Sequence, residues 1–143
     1  MKKHLSTILL SIISAFILIG CAQVVNEPKP TVPDRPQSGK ALVFFYRRGG
    51  FANCARGMEV TDGEKIIGDL SSGSYFVYQA EPGSHRFIVN GHDEDTVAQT
   101  LVAGQTYYFR CRFGGLHYPV DSVTPDKASA QMKHLQRVHW NGH

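Results

Sequence analysis

The chain has 143 residues, enough for one domain of ordinary size and too few for two. Apolar residues make up 42% and charged residues 19%, which excludes a disordered polyelectrolyte and a multi-span membrane protein. The formal charge is +3, and the 14 glycines, seven prolines, eight phenylalanines and six tyrosines favour a turn-rich, strand-rich fold over a helical bundle.

Residues 1–20 read as an export signal. Lys2 and Lys3 supply a positive start, and Leu5 to Ile19 form an uncharged, largely apolar run of 15 residues. That is short for a membrane-spanning helix, which needs ~20 apolar residues, and suits a signal-peptide core. The run ends in Leu18-Ile19-Gly20-Cys21, which resembles the lipobox of bacterial lipoproteins. The alternative, an ordinary signal ending in a chance cysteine, fits poorly with a small residue and a cysteine at the cleavage point. The resemblance implies a diacylglycerol on the Cys21 thiol, cleavage before Cys21 and acylation of the new amine. One acyl chain holds a protein only marginally, whereas two or more anchor it stably. Ala22 stands where an aspartate would imply retention on the inner membrane. The expected location is therefore the cell envelope, on the periplasmic face of the outer membrane.

Removing the signal takes away Lys2 and Lys3 but no acid, so 15 basic residues become 13 against 12 acidic ones, a net charge of +1. That balance gives no case for nucleic-acid binding. Residues 21–40 then form the lipidated cysteine and a tether, since Pro28, Pro30, Pro33 and Pro36 alternate with charged residues and cannot build a core.

The domain is expected over residues 41–140. Ala41 to Tyr46 is apolar at every position, as a strand buried on both faces would be. Arg47-Arg48-Gly49-Gly50 ends it and opens a loop carrying Cys54. Met58 to Thr61, Asp62-Gly63 and Glu64 to Gly68 read as a hairpin. Tyr75 to Gln79 is a further strand, and Pro82-Gly83 suits a type II turn before the strand containing His85. Asp93-Glu94-Asp95 reads as a solvated acidic loop. Thr96 to Val102, a turn at Ala103-Gly104 and Gln105 to Phe113 follow. In the last of these, Tyr107, Phe109, Cys111 and Phe113 occupy a core face while Tyr108, Arg110 and Arg112 occupy a wet one. Leu116 to Val123 reads as a further short strand. Thr124 caps the one helix expected, with Pro125 at its first position and Ala128, Met132 and Leu135 on one stripe. The fold class is all-β: an antiparallel β-sandwich of about seven short strands with one C-terminal amphipathic helix.

The order of these pieces resembles a small bacterial lipoprotein domain family of unknown function. Its pattern is a Phe-Tyr-Arg strand (Phe45, Tyr46, Arg47), an Asp-Gly hairpin, Ser74-Tyr75-Phe76, Pro82-Gly83-Ser84-His85 and Gly104 followed by Tyr107-Tyr108. It resembles the carboxypeptidase-regulatory and PEGA-type sandwiches more distantly. The resemblance implies a binding or structural module and no catalytic residues.

Chemistry-bearing residues are few. Cys54 and Cys111, in an oxidising compartment, are expected to form a disulfide, with two free buried thiols as the alternative. Cys54 has Arg56 nearby but no histidine motif, so nucleophilic catalysis lacks a base. His85, His92 and His117 are weak metal-ligand candidates without ligand spacing. Arg47, Arg48, Tyr108, Arg110 and Arg112 are candidates for a basic, aromatic patch that meets anionic wall or outer-leaflet groups. No cofactor is expected. The expected partners are the membrane, through the lipid anchor, and an envelope protein or anionic envelope component; the alternative is a lipoprotein that binds a metal or small ligand.

Overall fold

A computed structural model describes residues 34–51, 54–91 and 95–139. The signal, Cys21 and the first part of the tether lie outside the described residues, as does His92. The elements run β1 (Ala41–Arg47), β2 (Met58–Asp62), β3 (Lys65–Leu70), β4 (Ser74–Ala80), β5 (Gly83–Val89), β6 (Thr96–Leu101), β7 (Thr106–Cys111), β8 (Val120–Ser122), α1 (Pro125–Met132) and β9 (Gln136–Arg137). They build two sheets, one ordered β8-β7-β1-β4-β9 and the other β3-β2-β5-β6.

The sandwich is as expected, but it is not wholly antiparallel. β1 runs parallel to β7, with Tyr46 opposite Arg110, and β9 runs parallel to β4. Among the described residues there are nine strands rather than seven. After β1 the chain crosses to the other sheet for β2 and β3, returns beside β1 as the antiparallel β4, crosses again for β5 and β6, and comes back on β1's other flank as β7, parallel to it.

The core lies between the sheets and is organised around Phe45, which is fully buried. Its ring lies 5.2 Å from Phe76 and 5.4 Å from Phe109, both stacked, and 4.9 Å from Phe87, edge to face. Val43, Val60, Val89, Leu70 and Leu101 fill the space around these rings. Such aromatic pairs contribute ~0.5–1.5 kcal/mol each beyond the area they bury.

The outer face of the five-stranded sheet is wet only in part, with Arg112 exposed but much of β1 covered. Leu42 and Tyr46 are fully buried on it, so β1 is covered on both sides as its composition requires. Part of the cover is α1, whose Ala128 is buried and whose Gln131 accepts a hydrogen bond from the Tyr46 hydroxyl at 2.8 Å. Tyr108 stacks on Phe44 at 5.0 Å and is half-buried. Helix packing overrides what alternation alone implies for β7.

The hairpin turn is displaced by one residue. Asp62 pairs with Lys65, so the loop is Gly63-Glu64, and Gly63 adopts φ +59° at its first position. A glycine there is what a type II′ turn demands. A register shift between Val60 and Thr61 accompanies it. The acidic loop is also not simply solvated: Asp95 is 4% exposed and accepts the Tyr118 backbone N–H.

Residues 34–40, at the end of the expected tether, lie against the domain. The Gln79 side chain accepts from the Gln37 N–H and donates to the Arg35 carbonyl, while Arg137 bonds to Asp34 at 3.2 Å. Lys40 pairs with Glu81.

Gly68 of β3 touches the core ring of Phe76 so closely that a β-carbon would come within 2.5 Å of it. Phe76 is 2% exposed and cannot swing away. Gly68→Ala is therefore expected to lower unfolding free energy by ~1–3 kcal/mol through overpacking. Urea unfolding measures this, and the cost should largely vanish in a Phe76→Leu background.

Candidate functional site

Parallel pairing of β1 and β7 delivers their C-terminal ends to one place. A cleft of about 310 Å³ opens there. Arg48, Gly49 and Gly50 line it from the β1–β2 loop, and Arg110, Arg112 and Phe113 from the end of β7. Ser72 closes the side, and Arg47 and Cys111 also contribute to the wall. Four of the five residues grouped from sequence as a basic patch thus meet in space. Tyr108 does not, being held under the Phe44 stack.

The four arginines differ in role. Arg47 is a strut: it is 4% exposed, and its Nη1 donates to the Arg56 carbonyl at 2.5 Å and the Leu70 carbonyl at 3.4 Å. Burial lowers its pKa, while the nearby Asp69 carboxylate opposes that shift. Asp69 in turn is pushed up by burial and by the charge of Glu59, against the pull of Arg47. Arg47 holds the β1–β2 loop to the end of β3 and is not available to a partner.

Arg110 and Arg112 converge on Asp121 of β8. Arg112 grips it with two bonds, Nε to Oδ2 at 2.8 Å and Nη2 to Oδ1 at 3.1 Å, and Arg110 Nη2 donates to Oδ2 at 2.9 Å. Burial alone would raise the Asp121 pKa, but the two guanidinium groups outweigh it and hold the carboxyl below its usual range. This pairing preorganises both arginines at fixed positions, which removes part of the ordering cost of binding an anion. Arg110 Nε is buried and has no hydrogen-bond partner among the described residues. Arg48 is exposed and makes no ion pair among them.

The loop beside Arg48 is braced by Ser72, whose hydroxyl accepts from the Gly50 N–H at 3.2 Å. Two large apolar residues close in the chain to the cleft lining are almost entirely exposed: Phe51, directly after Gly50, and Leu116, three residues after Phe113 in the turn closed by the Gly114 N–H on the His117 carbonyl. Sequence reasoning missed Ser72, Asp121, Phe51 and Leu116. Only Asp121 carried a signal, as an acid on the strand next to a doubly basic one.

The expected Cys54–Cys111 disulfide is not formed. Cys111 is a free thiol, buried beside the core rings, and burial pushes its pKa up to about 12. The alternation of β7 turns it inward, whereas Cys54 lies in the half-exposed β1–β2 loop. A thiol held neutral in this way is a poor nucleophile.

His85 is a tie between turns. Its Nδ1 meets Asp62 Oδ2 at 2.6 Å and its Nε2 meets the Glu81 carbonyl at 2.8 Å, so both ring nitrogens are engaged. The same carboxylate accepts from the Tyr78 hydroxyl at 3.2 Å. The Asp-Gly and Pro-Gly-x-His pieces of the sequence are thereby joined through one imidazole. His117 sits in the β7–β8 loop. No group of three His, Cys, Asp or Glu able to hold a metal occurs among the described residues. No helix among them is long and apolar enough to cross a membrane.

The family model described as "Protein of unknown function (DUF2846)" matches residues 37–120, more than half of the chain. The chain belongs to this family. The match spans β1 to the start of β8, so the DUF2846 domain contains both walls of the cleft and leaves α1 and β9 as additions at its C-terminal side. It begins within the segment that docks on Gln79, in keeping with residues 37–40 being part of the domain. No curated protein and no solved structure matches the chain.

Proposed function

We propose that this protein is a lipid-anchored component of the bacterial cell envelope whose sandwich is a non-catalytic interaction module. The observation that carries the binding role is the meeting of Arg48, Arg110 and Arg112 at one open cleft. The anchor rests on the leader ending in Leu18-Ile19-Gly20-Cys21, which resembles a lipobox, and on the likeness of the domain's turn pattern to small bacterial lipoproteins. With Cys21 carrying its acyl chains, the domain would stay on the periplasmic face of the outer membrane without needing an apolar surface of its own. The non-catalytic reading is supported by Cys111, the one core thiol among the described residues, being held protonated.

The N-terminal peptide of the native protein, isolated from membranes, is expected to begin at Cys21 and to carry acyl mass. Cys21→Ser should abolish that mass. An N-terminal peptide without it, together with identical fractionation of both forms, would overturn the anchor.

A further inference from the structure

Beyond its arginines, the cleft has apolar neighbours that a simple anion site would not need. We infer that this end of the sandwich docks on the phosphate-bearing headgroups of an anionic phospholipid surface, with Phe51 and Leu116 entering the apolar layer beneath. Three observations carry this.

The first is charge. Arg48, Arg110 and Arg112 set three cations against the single carboxylate of Asp121, a surplus of two. Asp121 already occupies the carboxylate-binding edges of Arg110 and Arg112, so what remains are their outer N–H groups and the whole Arg48 fork. Donors spread in this way suit a tetrahedral phosphate better than another planar carboxylate. The second is apolar exposure. Phe51 is 102% and Leu116 83% exposed, and each lies within three residues of the cleft lining. A side chain pair of that kind beside a basic site is what membrane-surface binding uses.

The third is chain direction. Going back from Lys40, the chain passes Gln79 and heads over the outer face toward Arg137, which is level with Tyr75 and Tyr46. Tyr46 lies one residue from Arg47, so by Asp34 the described part of this segment has reached the level of the cleft end of the sheet. The nearest lipid surface is then the membrane that holds the anchor; this step, unlike the first two, rests on the anchored reading proposed above.

The test uses the full protein purified in a neutral detergent and titrated with a soluble lipid, dihexanoyl phosphatidylglycerol, with binding read by calorimetry. We expect saturable binding, weakened at least tenfold by Arg48→Ala with Arg112→Ala. Phe51→Ser with Leu116→Ser should weaken the lipid at least fivefold while leaving inorganic phosphate unchanged. All four positions are at the surface, and thermal melting checks that the variants fold. Lipid and inorganic phosphate binding alike, with no effect of Phe51 and Leu116, would make this a free-phosphate site and overturn the lipid assignment. Acetate or an acidic peptide competing on equal terms would point to a protein carboxylate instead and overturn it equally. So would absence of binding. The soluble lipid reads the cleft whether or not Cys21 is acylated, so failure here and failure of the anchor are separate results.

Discussion

Phe45→Ala is expected to destabilise the fold by ~3–5 kcal/mol, the range for emptying a large aromatic site in a core. The reason is position rather than residue type. Phe45 is fully buried and is in contact with Phe76, Phe87 and Phe109 together. Removing it takes away three ring contacts and opens a cavity between two sheets that are pinned by their own ladders, so collapse into the void is limited. Phe51→Ala makes the same chemical change at a fully exposed site and should cost within ~0.5 kcal/mol of nothing. Urea unfolding of the two variants side by side checks this, with equal slopes required for the comparison. A cost below ~1 kcal/mol for Phe45→Ala would mean that the inter-sheet core is not centred where the rings place it.

The contrast between these two phenylalanines also shows what a sequence can and cannot reveal here. Local pattern carried a great deal. The unbroken apolar run of β1 announced burial on both faces, and the inward alternation of Phe109 and Cys111 is as observed. The Ala103-Gly104 turn is present, with Gly104 at φ +79° and the Gln105 N–H returning to the Val102 carbonyl at 3.1 Å. Pairing partners were hidden, because alternation states which face a residue takes and says nothing about the strand beside it. The parallel β1–β7 ladder is of that kind. So is β9, whose two residues are too few to show a period.

The site follows the same division. The five basic and aromatic candidates could be grouped by type, but their division into strut, clamp and free cation depends on depth and on Asp121. Arg47 and Arg48 are neighbours in the chain, yet one faces the core side and is buried while the other is exposed. The wet face assigned to Tyr108 failed because α1, separated from β7 by β8 and two loops, comes back to cover it. The disulfide failed for a related reason: two cysteines in one compartment satisfy the chemistry of a bridge, but only geometry decides whether they meet.

Cys111 leads to the second large expectation, a loss of stability in alkali. The thiol titrates near 12 in the folded protein against an ordinary value of 9.0, because burial penalises the thiolate. Its folded pKa is raised, so the stabilisation it confers is complete below pH 9 and is lost as pH climbs toward 12. In that window the unfolded chain sheds a proton that the folded chain keeps, at ~1.4 kcal/mol per pH unit, or ~4 kcal/mol across the whole interval. Tyr78, raised from 10.0 to about 12 by burial and by the charge and hydrogen bond of Asp62, acts in the same direction above pH 10. Arg47, whose pKa is lowered, opposes both only at the most alkaline end. A difference measurement separates Cys111 from the others. Cys111→Ala removes a small core group and should be less stable than the native protein at pH 7 by ~1 kcal/mol. It also removes one titrating proton, so its stability should decline less steeply above pH 9. The two curves are therefore expected to cross, with the variant the more stable protein by pH 11. Unfolding free energies from urea melts between pH 7 and 11 provide the test, and curves that stay parallel throughout would show that the thiol ionises as readily in the folded chain as in the unfolded one.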